Sequence, residues 1–288
     1  MSGKPIRKIL ITGVHGQLGR AVAGACASRN IESEGRDIDT LDITDAEAVT
    51  RWIESSRASE VVNCAAYTAV DDCETDEQSA MRVNGTAVGF LAAACNAVGA
   101  RLVQISTDYV FNGEATRPYR EDDPVAPISA YGRTKLRGEE LAASAHRSLI
   151  IRTAWLYGHG GRNFVEAIRG QIAGGTRVLE VVADQRGNPT FCDDLAAAIL
   201  DLIDVNAEGV VHAVNFGETT WHGFAVAIAG QLGAEVKVAP LSSDTVQRAA
   251  SRPAYSVLDT SRLAEILGSH LPTWEDALTR YLGPSCVF

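Results

Sequence analysis

No stretch of the 288-residue chain carries 18 or more consecutive apolar residues, so no transmembrane helix is expected. The N-terminal basic residues Lys4, Arg7 and Lys8 are followed only by Ile9, Leu10 and Ile11 before Thr12-Gly13. That run is too short for the apolar core of a signal peptide. Six cysteines (Cys26, Cys64, Cys73, Cys95, Cys192, Cys286) are scattered without a C-x-x-C, and six histidines never fall as H-x-x-H or H-x-x-x-H. Reduced, mostly buried thiols and a cytoplasmic chain are expected, with no metal site. Positive charge is scarce as well: 26 Lys and Arg stand against 36 Asp and Glu, a net charge of −10. Nucleic-acid affinity rests mainly on Lys and Arg at phosphates, so neither nucleic acid nor membrane is an expected partner. An anionic small molecule stays open, because a local site can be positive on an acidic protein. The sequence also leaves a homodimer open.

Apolar residues make up 46% of the chain and charged residues 22%. This is ordinary globular composition, and the length suffices for a large core in one or two domains without staples. The first half alternates strand and helix. Strands are expected at Arg7–Thr12, near Ile31–Gly35, and at Glu60–Ala65, Arg101–Ser106 and Leu149–Thr153. Helices are expected at Gly16–Ser28, Ala130–Ala143 and after two capping-box matches, Thr44-Asp45-Ala46-Glu47 and Thr75-Asp76-Glu77-Gln78. The first of these runs to about Ser56, the second as one long helix to about Val98. The alternation predicts an α/β fold: a Rossmann-type, doubly wound parallel sheet. Residues 111–128, with Pro118, Pro124 and Pro127, read as loop. Further on, helices are expected at Asn163–Ala173, Asp193–Leu202, Trp221–Leu232, Asp259–Leu267 and Trp274–Tyr281, with strands at Val178–Val182 and Val210–Asn215. This gives a dinucleotide-binding region over 1–153 and a smaller, interleaved C-terminal region over 154–288, mainly for substrate.

Three motifs carry chemistry. Gly13-Val14-His15-Gly16-Gln17-Leu18-Gly19 follows the first strand and opens the first helix. Glycines there permit a tight turn and close backbone approach to a pyrophosphate, which the helix N-terminus then holds. The backbone does this work, so His15 needs no catalytic role. Tyr131 and Lys135 stand four apart on a helix, on one face. With four Lys and seven Tyr in the chain, a chance Y-x-x-x-K is expected only ~0.1 times. A cation beside a phenol favours the phenolate and lowers its pKa. Ser106-Thr107-Asp108-Tyr109-Val110-Phe111 ends a parallel strand, where open α/β sheets place their sites.

Together these motifs resemble the extended short-chain dehydrogenase/reductase family, whose Ser/Thr, Tyr and Lys fall on Thr107, Tyr131 and Lys135. Val62 to Asp71, Ser106 to Gly113, Pro127 to Gly132, and Arg252-Pro253 leading to Leu258-Asp259 resemble its dTDP-4-dehydrorhamnose reductase branch over nearly the whole chain. The resemblance implies NADPH- or NADH-dependent reduction of the C4 ketone of a dTDP-keto-deoxysugar, giving dTDP-L-rhamnose. Thr107 would hydrogen-bond the carbonyl oxygen and Tyr131 would protonate it. Lys135 would lower the Tyr131 pKa and hold the nicotinamide ribose. Gly13, Gly16, Gln17 and Leu18 would meet the pyrophosphate, Asp42 and Ile43 the adenine. Ala65, Ala66 and Tyr67 would line the cofactor along the third strand end. Arg36 suits a 2′-phosphate and Asp37 a free 2′-hydroxyl, which leaves the two cofactors unresolved with a lean to NADPH. Thr68, Val70, Thr107, Asp108, Trp155, Asn163 and Arg252 are the substrate-side candidates, Arg252 as a fork for the diphosphate.

The sequence departs from the branch at Tyr67, where His is usual, and at Tyr255, where Asn is usual. Arg20 and Ala21 stand where some members carry a metal-binding acid. The alternatives are a nucleotide-sugar epimerase, a reductase of a related keto-sugar, and a regulator resembling the methionine adenosyltransferase β subunit.

Overall fold

The computed structural model describes residues 7–283, which leaves Lys4 and Cys286 outside the described range. The first half contains β1 (Lys8–Thr12), α1 (Gln17–Ser28), β2 (Glu32–Arg36), α2 (Ala46–Ser56), β3 (Glu60–Asn63), α3 (Val70–Thr75), α4 (Glu77–Met81), a π-helical turn (Arg82–Thr86), α5 (Ala87–Val98), β4 (Arg101–Thr107), α6 (Ala130–Ala142) and β5 (Ser148–Thr153). The second contains β6 (Leu156–Tyr157), α7 (Phe164–Ala173), β7 (Val178–Val182), β8 (Arg186–Gly187), β9 (Thr190–Phe191), α8 (Cys192–Asp204), β10 (Gly209–His212), β11 (Thr219–Thr220), α9 (Trp221–Gln231), β12 (Lys237–Leu241), α10 (Ser261–Leu267) and α11 (Trp274–Leu282).

The main sheet has the order β10-β5-β4-β3-β1-β2, and its pairs are all parallel. Its central strands are apolar throughout because both faces are covered. Ile9, Ile11, Val62, Val103, Ile105 and Ile151 face α1 and α8, packing on Val22, Cys26, Leu195 and Ile199. Leu10, Val61, Leu102 and Ile150 face the other way, onto Val49, Trp52, Ile53 and Leu91 of α2 and α5. β2, at the edge, is charged (Glu32, Glu34, Arg36), which suits a strand with one open side. The direction of strand addition reverses between β1 and β3, so a crevice opens at their carboxyl ends. A second core gathers Tyr157, Val165, Ile168, Leu179, Phe191, Phe224, Ile228, Trp274 and Leu278 from α7, α9, α11 and the short strands. β10, α8 and α10 come from the second half yet complete the first core. The five cysteines within the described residues are free thiols; Cys26, Cys73, Cys95 and Cys192 are buried and Cys64 is half-buried.

Both expected capping boxes are shifted by one residue. Asp45, not Thr44, caps α2 by accepting from Ala48 N at 3.0 Å, while the Thr44 hydroxyl donates to Asp42. Asp76, not Thr75, caps α4 through Ser79 N at 3.0 Å, and the Thr75 hydroxyl donates to Asp72 O. In both segments the aspartate after the threonine is also a good cap, and its full charge suits the positive helix end better than a hydroxyl does. The long helix expected up to Val98 is interrupted by the π-helical turn. The outer strand is shorter than expected, ending at His212, and α10 begins at Ser261 behind an Asp259 that accepts from Ser261 N.

At the amino-terminal edge of the sheet Arg101 is fully buried against Glu60, with Nε–Oε2 at 2.7 Å and Nη2–Oε1 at 3.1 Å. The same guanidinium donates to Ile203 O and Ala207 O, at the carboxyl end of α8 and just beyond it. Removing one partner of a buried pair leaves an uncompensated charge. Arg101→Met is therefore expected to lower unfolding free energy by ~3–5 kcal/mol in urea titration. A loss below ~1 kcal/mol would show that the pair is dispensable.

Candidate active site

A cleft of about 680 Å³ lies over the carboxyl ends of β1, β3, β4 and β5, and all three sequence motifs line it. Among its walls are Gly16, Gln17, Leu18, Ala66, Thr68, Val70, Thr107, Asp108, Tyr131, Lys135 and Trp155.

The glycine turn forms one wall. Gly13 has φ +64°, and a Cβ there would stand 2.8 Å from Ala65 N, so β1 and β3 end almost in contact. A Cβ on Gly19 would lie 2.1 Å from Gly13 O, which shows how closely α1 sits on the turn. Gly16 occupies the N-cap of α1 with no side-chain cap and no acid in the first turn. The amide groups and positive end of this helix therefore face the cleft without a competing anion, the arrangement a pyrophosphate requires. At the end of β2, Asp37 accepts from His15 N at 2.8 Å and from Ile38 N at 2.8 Å. Arg36 lies over the Trp52 ring at 5.2 Å and touches Glu34 at 3.3 Å. Asp42 accepts from Thr44 and Ile43 is buried in the α2 core, so neither lines the cleft. Ala65 and Tyr67 are half-buried beside it.

The opposite floor is built by β4 and α6. Ser106 donates to Glu139, which also takes the fork of buried Arg152 at 2.8 and 2.9 Å. Thr107 instead donates to Asp108 Oδ1 at 3.0 Å and accepts from Tyr109 N. A Cβ on Gly132 would stand 2.2 Å from Tyr109 O, so the first turn of α6 lies directly on the β4 end. This close approach sets Tyr131 edge-on to Tyr109, ring centroids 5.5 Å apart. Lys135 is buried and donates to Ile105 O at 2.6 Å. Burial brings its pKa down to about 8, with Glu139 opposing the shift.

The expectation that Lys135 lowers the Tyr131 pKa is not met. Burial dominates and pushes the phenol up, Asp108 adds to the shift, and a hydrogen bond with Thr107 pulls the other way. The lysine ammonium is itself buried and held by the Ile105 carbonyl, and the half-buried phenol packs against Tyr109 beside the Asp108 carboxyl. Asn84, in the π-helical turn, steadies this region. It accepts from Tyr67 N at 2.8 Å and donates to Tyr67 O and Thr134 Oγ1. Nothing in the local sequence marked it.

The third wall is aromatic. Trp155 has φ +46°, unusual for a bulky residue, and stacks on Trp221 at 3.6 Å and 7°. Gly187 makes room for the ring, since a Cβ there would meet Trp155 Cε2 at 2.5 Å. Tyr109, named in the sequence only as part of the strand-end motif, lines the cleft, and so does Trp221, which the sequence alone does not single out; a large aromatic at the first turn of a helix is an ambiguous signal there. Asn163 caps α7 and donates to Gln17 Oε1 at 2.9 Å and Gly158 O at 3.0 Å, so its amide ties α1 to the second core rather than projecting into the cleft. Arg252 forms a fork with Asp71 at 2.7 and 3.1 Å, outside the cleft lining, and holds the Asp71 carboxyl down at about 2. Tyr255 donates to Glu218, also off the cleft.

Asp108 is 2% exposed, and burial raises its pKa to about 6. The folded chain thus holds this proton more tightly than the unfolded chain does. The associated stability is present below about pH 4 and is lost as pH rises through 6. Asp108→Asn keeps an acceptor for Thr107 but carries no charge. It is expected to exceed the parent chain in stability by ~1–3 kcal/mol at pH 8, with the gain fading towards pH 4, as read from thermal melts at both values.

Residues 7–286 match the family described as the RmlD substrate binding domain. A dTDP-4-dehydrorhamnose reductase of Streptomyces griseus is 43% identical over 99% of this chain and 96% of its own length. A probable dTDP-4,6-dihydroxy-2-methyloxan-3-one 4-ketoreductase of Streptomyces antibioticus is also 43% identical, over 93% of this chain and 92% of its own. The crystal structure of dTDP-4-dehydrorhamnose reductase from Bacillus anthracis in complex with NADP superposes with a TM-score of 0.92 at 35% identity, covering 96% of this chain and 98% of that one. Fold, cleft and full-length similarity agree, and the chain belongs to the RmlD family of NAD(P)-dependent dTDP-sugar keto-reductases.

Proposed function

We propose that the chain reduces the C4 ketone of dTDP-4-dehydrorhamnose to dTDP-L-rhamnose with NADPH or NADH as cosubstrate. The observation that carries this reading is the meeting of Thr107, Tyr131 and Lys135 with an uncapped glycine-helix N-terminus in one cleft. The uncapped helix end and the glycine approaches fit a dinucleotide. Arg36 at the end of β2, with Asp37 turned back onto backbone amides, favours a 2′-phosphate and hence NADPH. Residues 154–288 supply most of the substrate side.

When bound, NAD(P)H supplies a hydride to the carbonyl carbon. The chain does the rest. Thr107 turns its hydroxyl from Asp108 towards the carbonyl oxygen, where negative charge gathers. Tyr131, kept protonated by burial, gives its proton to that oxygen. Lys135, anchored on Ile105 O, has two further N–H groups for the nicotinamide ribose and for the phenolate that forms. Thr68, Val70, Asp108 and the Trp155–Trp221 stack bound the sugar. Arg252 would reach a diphosphate by exchanging the Asp71 carboxylate for phosphate oxygens. Asn163 supports the cofactor side through Gln17.

The equal identity to the Streptomyces antibioticus 4-ketoreductase favours one second reading, reduction of a related dTDP-4-keto-sugar. An assay with dTDP-4-dehydrorhamnose, following loss of reduced cofactor and identifying the product, separates the two. Stoichiometric cofactor consumption also excludes an epimerase, and any turnover excludes a purely regulatory role. In that assay Tyr131→Phe is expected to lose ~10²–10⁴ in kcat with NADPH affinity nearly unchanged. Near-normal turnover would remove Tyr131 from the mechanism. The pH dependence follows from Lys135, whose ammonium must be charged to stabilise the phenolate. kcat/KM for the cofactor reports groups of the free enzyme, so it is expected to fall on the alkaline side with an apparent pKa near 8. A profile flat to pH 10 would contradict this role.

A further inference from the structure

Six buried side-chain polar atoms among the described residues have no hydrogen-bond partner, and two of them belong to residues lining the cleft: Asp108 Oδ2 and Thr153 Oγ1. A buried hydroxyl without a partner is costly, and replacing it with a methyl of the same shape is neutral or stabilising unless something else binds it. Thr153 is 4% exposed and is the last residue of β5, in register with Thr107, the last residue of β4. Register partners on parallel strands turn their side chains to the same face. Thr107 has its hydrogen bonds to Asp108 and Tyr109, and Thr153 is the hydroxyl beside it that lacks any.

The path of a dinucleotide over the strand ends leads to this atom. Its pyrophosphate belongs on the α1 N-terminus beside β1. Its nicotinamide ribose belongs on Lys135, whose ammonium rests on Ile105 of β4. Ile105 is paired in register with Ile151 of β5, two residues before Thr153. The ring beyond the ribose therefore comes to the end of β5. Its carboxamide offers one acceptor and two donors, and a threonine hydroxyl can pair with either kind.

We infer that Thr153 Oγ1 hydrogen-bonds the carboxamide of the nicotinamide ring and so fixes the rotation of the ring about its glycosidic bond. This rests on the cleft being the NAD(P)H site. The test compares Thr153→Val and Thr153→Ser with the parent chain, by fluorescence titration with NADPH and with 2′-phospho-ADP-ribose, which lacks the nicotinamide. Thermal melts of the ligand-free proteins are recorded alongside. The expected result is an NADPH affinity ~3- to 10-fold weaker in Thr153→Val, restored in Thr153→Ser, with 2′-phospho-ADP-ribose bound equally by all three. The ligand-free Thr153→Val protein is expected to melt no lower than the parent. Unchanged NADPH affinity in Thr153→Val would overturn the assignment. So would equal weakening of both ligands, which would make Thr153 a shaper of the cleft, and so would a rise confined to the sugar-nucleotide KM. If Thr153→Val does not fold, Thr153→Ala is read by the same criteria. Failure of the parent chain to bind either NADPH or NADH would overturn this inference and the cofactor reading together.

Discussion

An ammonium group taken out of water must find a strong acceptor, and Lys135 finds the carbonyl of Ile105. That one bond ties α6 to the end of β4, and the rest of the reactive geometry depends on it. The helix can come so close because glycines stand where it touches its neighbours: a Cβ on Gly132 or Gly138 would lie 2.2 Å from a backbone oxygen, of Tyr109 and Asn84 respectively. Tyr131 adjoins the first of these contacts, one turn before the lysine. Its position is a result of backbone packing, which sets the phenol beside Thr107 and Asp108 in the cleft.

Neighbouring residues at the end of β4 have opposite fates for a related reason. Ser106 and Thr107 both carry hydroxyls, but strand alternation turns them to different faces. Ser106 joins the buried Arg152–Glu139 pair and becomes part of the scaffold. Thr107 faces the cleft, and its bonds are to a carboxyl and an amide next to it in sequence, which a small rotation can release. The aromatic wall is built with similar economy. The left-handed backbone of Trp155 is unfavourable for such a side chain, and stacking on Trp221 together with the gap left by Gly187 holds it in place.

What could be read from the sequence was what short-range chemistry decides. The glycine turn, the apolar central strands and the Tyr131/Lys135 face all depend on residues within one or two turns of each other. What could not be read depends on partners far along the chain, or on patterns with two local solutions. A Thr-Asp pair at a helix start offers two capping residues, and in both instances the aspartate caps the helix. Asn84 meets Tyr67 and Thr134 from a π-helical turn that no simple period marks. Asn163 reads as an open amide until Gln17, 146 residues away, is placed against it. Arg252 reads as a free guanidinium until Asp71 closes its fork, and a raised rather than lowered Tyr131 pKa depends on burial that no residue spacing reveals.

The sixth strand of the main sheet has a bearing on how the chain is made. β10 covers the outer edge of β5, and α8 helps cover one face of the same sheet, yet both are translated well after β5 ends at Thr153, as Cys192–Asp204 and Gly209–His212. Buried Arg101 likewise waits for the carbonyls of Ile203 and Ala207. As the polypeptide leaves the ribosome, the first five strands therefore stand with a bare parallel edge and one apolar face covered only by α1 until α8 and β10 have emerged. Such a nascent half-sheet is open to pairing with other chains, and the burden of protecting it falls on the folding machinery rather than on the finished enzyme.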